Sequence, residues 1–199
     1  MSATMRALTG GAVALLLAGC QPAGAGQNLS TEKTVEPSME FLQHTYHLGS
    51  FNRTKNPMWE FVTGNETVDN WTSLLTIVER TDAHTREELD RLAEGILSNY
   101  KSRAGQILKA KTMVGKSGEV FNYAAVAFED VARHRFELSF TKIALGQKNA
   151  YVLVYGVRIG DPDHMSKAKA FLTAHSGEIG LALENAVLPD VSTLPRKEF

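Results

Sequence analysis

The chain has 199 residues, 43% hydrophobic and 22% charged, the balance of a globular rather than a disordered protein. Its net charge of −1 provides no basic field for nucleic acid, and no nucleic-acid partner is expected. One cysteine can close no internal disulfide and build no cysteine zinc site, so burial must hold the core, and no motif calls for a cofactor.

The chain opens with Arg6 and then an uncharged run, Ala7 to Gly19, ALTGGAVALLLAG. As a helix at about 1.5 Å per residue, this run spans roughly 20 Å, short of a hydrocarbon core of about 30 Å. A positive start followed by a short apolar run is a secretory signal. It ends in Leu17-Ala18-Gly19-Cys20, which resembles the bacterial lipobox. That resemblance implies a lipoprotein whose residues 1–19 are a signal peptide removed before Cys20. It also implies a diacylglycerol on the Cys20 thiol and a lipid bilayer as the first partner. Two or more acyl chains anchor stably where one would not. Gln21, where an Asp would signal retention at the inner membrane, favours the outer membrane of a bacterial envelope. Residues 20–37 then form a lipidated cysteine and a flexible tether with a reach of about 20 to 24 Å. Such a tether holds a periplasm-facing domain clear of the head groups.

Residues 38–188 are expected to form one α+β domain, a central antiparallel sheet flanked by two main helices. MEFLQHTYHL (Met39 to Leu48) and MWEFVT (Met58 to Thr63) are strand patterns, with Asn56-Pro57 breaking the chain between them. NWTSLLTIVER, Asn70 to Arg80, is a further strand. Thr85 with Glu88 three residues on makes a capping box for a first helix. Leu89, Leu92, Ile96, Leu97 and Tyr100 give that helix one apolar stripe. QILKAKTMVG and VFNYAAVAFED follow as strands joined by a Lys116-Ser117-Gly118 turn, then RHRFELSFTKIAL with clean alternation. AYVLVYGVRI is the most apolar strand and should be central. After Asp161-Pro162 a second helix is expected to about Val187, burying Ala168, Phe171, Leu172, Ile179, Leu183 and Ala186. Gly177 and Gly180 could bend it. The tail, residues 189–199, is expected to be disordered or loosely docked.

NWTSLLTIVER leading into an amphipathic helix, the late AYVLVYGVRI strand and the long last helix together resemble the Mog1/PsbP-like fold. Its envelope members include the DcrB-type lipoproteins. The resemblance implies an α/β/α sandwich and a binding or assembly role without catalytic residues.

Several motifs invite chemistry. VGKSG carries the end of a P-loop, but Ala110 stands where the first glycine belongs and a strand follows, so a hairpin turn is expected. His44 and His47 lie three apart in a strand, on opposite faces, and are not expected to share a metal. Arg133, His134 and Arg135 form a compact basic tip between two strands, a candidate contact for anionic groups or a partner. Trp59 and Trp71 are read as core anchors. No catalytic constellation emerges. The expected function is therefore a non-catalytic module that binds an envelope protein or a cell-wall partner, through an exposed apolar patch or groove bordered by charges near Arg133 to Arg135. The alternative is a membrane-tethered hydrolase using His44, His47 or His175.

Overall fold

The structure, a computed structural model, describes residues 37–160, 162–188 and 191–196. Cys20, the signal peptide and all of the tether except Pro37 lie outside the described residues. The described residues form an α+β fold with one antiparallel sheet of eight strands and two helices. The strands are β1 (Ser38–Phe41), β2 (His44–Asn52), β3 (Met58–Thr63), β4 (Ser73–Arg80), β5 (Gln106–Val114), β6 (Val120–Asp130), β7 (Arg135–Leu145) and β8 (Ala150–Gly160). Helix α1 (Arg86–Ser102) joins β4 to β5, and α2 (His164–Asn185) follows β8. The sheet order is β1-β2-β3-β4-β8-β7-β6-β5, so the apolar β8 is indeed internal, between β4 and β7.

Alternation along β7 divides the core between the two faces. Leu138 and Phe140 join the cluster that contains Ile179 and Leu183 of α2. Ile143 instead joins the cluster of Leu89, Leu92, Ile96 and Tyr100 on α1. Ser139 and Thr141 share that second face, and the Tyr100 hydroxyl lies 3.4 and 3.2 Å from their hydroxyl oxygens. Buried hydroxyls so close to one another satisfy each other rather than standing as a cost.

The capping box forms as the sequence predicts. The Glu88 amide donates to Thr85 Oγ1 at 3.3 Å, and the Thr85 amide donates to Glu88 Oε2 at 3.1 Å. Both tryptophans are buried. Trp71 precedes β4 in a loop and lies over β8, where a Cβ on Gly156 would come within 3.1 Å of its ring. Glycine is what lets the indole lie this close.

The structure refines three local expectations and overturns the first. The stretch Met39 to Leu48 is a hairpin, not one strand, because Leu42 and Gln43 take left-handed φ values of 50° and 63°. Neither is Gly, Asn or Asp, so the turn carries no composition signal. Helix α2 runs unbroken through Gly177 and Gly180 and ends at Asn185, two residues before Val187. Of the two expectations for the tail, docking holds for its described part. The Trp59 indole N–H donates to the Pro195 carbonyl at 2.8 Å, and the Arg196 guanidinium bonds Glu79 at 3.1 Å. Val191 packs into the α2-side core. A buried indole needs an acceptor for its N–H, and the tail supplies it.

Candidate functional site

Helix α2 packs over β7 and β8, which leaves β5 and β6 less covered on the same face. The gap is a groove. Its floor is Ala125 and Ala127 of β6 with Leu138 and Phe140 of β7, and its walls include Leu108 of β5 and Leu172 of α2. It comprises two adjoining cavities of about 360 and 280 Å³, which share Leu108 and Leu172. Alanines on β6 lower the floor, and a register shift between Ile107 and Lys109 places Leu108 at an irregularity of the edge strand. Leu108 is 39% exposed and Met165 41%, so large apolar side chains face solvent along the groove. The size falls within the range of ligand sites.

The two ends differ. One is bounded by Tyr123, Lys109, Ser176 and Gly177. Burial pushes the Tyr123 hydroxyl above its ordinary pKa. The other is bounded by Gln106, Glu129, Phe136 and Lys169.

The predicted basic tip lies beside this second end. Arg133 and His134 are exposed and Arg135 is half-buried. Their charge, however, is matched locally. Arg133 bonds Asp130 at 3.0 Å, and Arg135 reaches Asp130 at 3.2 Å and Glu137 at 3.1 Å. Arg158 bonds the same Glu137 oxygen at 3.0 Å and stacks 3.8 Å over the Trp71 ring. Burial alone would raise the Asp130 pKa, but the bonds from Arg133 and the charges of Arg135 and Arg133 hold it below the usual carboxylate range. His134, at a left-handed φ of 48°, sits edge-on to His164, 6.3 Å between ring centres. His164 in turn lies 3.8 Å from Glu129 and 5.5 Å from the Phe136 ring. The tip thus adjoins the groove as a paired charge network, three arginines on Asp130 and Glu137.

The other motif residues lie apart. His44 and His47 are exposed on β2, and His175 is exposed on α2, 3.7 Å from Glu178. None of them lines the groove, the cleft beside α1 or the cleft under the end of α2. Among the described residues, no three His, Cys, Asp or Glu side chains converge as a metal site would require. The GKS segment is a hairpin turn between β5 and β6, with Gly118 at φ 84°.

A third cleft, of about 410 Å³, lies under the C-terminus of α2. It contains Lys142, which is only 2% exposed, with its ammonium 3.2 Å from Glu119 Oε1. Ala168 and Leu172 line the groove from the expected buried side of α2, whereas Leu108, Tyr123, Ala125, Ala127 and Lys142 are not marked by the sequence. YAAVA in β6 and the two lysines of QILKAK were the only local hints.

No known protein family matches the chain, and no curated protein matches it either.

Proposed function

We propose that this chain is an envelope lipoprotein, anchored through an acylated Cys20, whose α+β domain is a non-catalytic binding module. The groove between α2 and the β5–β6 edge is the working surface. The observation that carries this reading is the groove itself, an open apolar trough with charges at its borders. It occurs where a layer that could cover the sheet stops short. The Mog1/PsbP-like layout belongs to the same proposal, supported by an antiparallel sheet with an internal β8 and a helix on each face. Outer-membrane placement with the domain facing the periplasm rests on Gln21 and the tether.

The hydrolase alternative would need a histidine meeting an acid or hydroxyl inside a concave site. His44, His47 and His175 instead lie on exposed strand and helix surfaces.

The test is native mass spectrometry of the full-length protein extracted from the envelope, beside Cys20→Ser and Leu108→Asp. Wild type should carry acyl mass on Cys20 and retain a bound species. Leu108→Asp should keep the acyl mass and lose the bound species. An unmodified Cys20, or the same species on both chains, would overturn the proposal.

A further inference from the structure

We infer that the groove binds a long-chain fatty acid, with its carboxylate at the Tyr123–Lys109 end and its hydrocarbon chain laid along β6. This rests on the reading of the groove as the binding surface and names the ligand class.

Width comes first. Strands β7 and β5 are two strand spacings apart, about 10 Å. Helix α2, packed over β7 and β8, has a radius with side chains of about 5 to 6 Å. Roughly half the span remains, enough for one extended chain and too little for a second helix. The floor is correspondingly smooth, with Ala125 and Ala127 between the apolar walls Leu108 and Leu172. From Tyr123 to Glu129 the floor strand runs about 20 Å at roughly 3.3 Å per residue. A linear hydrocarbon fits such a trough.

Charge fixes the direction. Lys109 stands at the Tyr123 end and makes no ion pair among the described residues. No acid lines that end. At the opposite end a carboxylate, Glu129, lines the groove together with Lys169, and the nearby arginines are already held by Asp130 and Glu137.

Tyr123 supplies a donor at the same end. Its ring is buried and lines the groove, and its hydroxyl makes no hydrogen bond to a described residue. A carboxylate beside the Lys109 ammonium would accept from the Tyr123 O–H.

The test is photolabelling of membranes that carry the full-length protein, using a diazirine fatty acid with peptide mapping. Adducts should fall in β5 around Leu108 and in α2 around Leu172 to Gly177, and tenfold excess palmitate should displace them. The fatty alcohol of equal length should compete at least tenfold less well. Lys109→Glu should cut labelling at least fivefold, and Tyr123→Phe should cut it severalfold. Adducts elsewhere, or equal competition by the alcohol, would overturn the inference. So would absence of labelling. In that case a thiol introduced by Leu108→Cys that stays shielded in the envelope means another class of ligand occupies the groove. A thiol that reacts freely means the binding reading fails as well.

Discussion

The Lys142 ammonium donates to the Ala186 carbonyl at 3.0 Å, tying a sheet strand to the end of α2. The same nitrogen donates to the Glu184 carbonyl at 3.2 Å and lies 4.8 Å from the centre of the Phe121 ring. The last carbonyls of a helix lack intrahelical partners and carry its negative pole. A buried cation on β7 therefore helps to fix the C-terminal end of α2 on the sheet.

Lys142→Met keeps the side-chain length and removes the donor. We expect it to cost about 1 to 3 kcal/mol in urea unfolding, because the helix-end carbonyls lose their partner. Hydrogen exchange should quicken near Glu184. The acid limb should also change. The Ser117 hydroxyl, then Lys142, holds the Glu119 carboxyl below its ordinary pKa. A depressed carboxyl stabilises above its unfolded pKa, and that contribution is lost as pH falls through the lower folded value. The variant should lose less stability in that acid range. Unchanged stability would show that Lys142 does not hold the helix end.

Glu60 works in the opposite direction. It is buried on β3, accepts from the Ser50 hydroxyl at 2.7 Å, and burial raises its pKa. The folded state then holds a proton that the unfolded chain releases, so stability declines as pH rises from the unfolded to the raised folded value. Glu60→Gln keeps an acceptor for Ser50 and removes the charge. It should be more stable than wild type at pH 8, with the gap closing below about pH 4. A pH-independent difference would contradict the assignment.

The docked tail predicts a third outcome. Ending the chain at residue 190 leaves the Trp59 indole N–H without the Pro195 carbonyl and Glu79 without Arg196. We expect a loss of about 1 to 3 kcal/mol and a red shift of tryptophan emission. Wild-type emission and stability in the shortened chain would mean the tail does not dock.

These points also show which parts of the structure could be read from the sequence. Local signals served well. Thr85 and Glu88 marked a helix start, Lys116 to Gly118 marked a hairpin, and the apolar run of β8 marked an internal strand. Long-range partners did not show. The Leu42–Gln43 turn has no glycine to announce it. Lys142 interrupts an apolar alternation and looks like an outward residue until α2 brings its carbonyls there. The groove depends on where α2 settles across the sheet, which no window of β5, β6 or α2 encodes alone. The Arg133 to Arg135 tip is legible as a basic cluster, but its pairing with Asp130 and with Glu137, which Arg158 shares, appears only in the folded sheet.

The most direct test of the groove as a working surface uses the chain's lone cysteine. With Cys20 blocked by its acyl thioether, Leu108→Cys and Leu181→Cys each carry one reactive thiol, at sites 39% and 57% exposed in the native chain. Maleimide reaction is timed in intact envelopes and again on extracted, delipidated protein. The account predicts at least tenfold slower reaction at position 108 in the envelope than after delipidation, with equal rates at position 181. Equal rates at position 108 in both settings would contradict it.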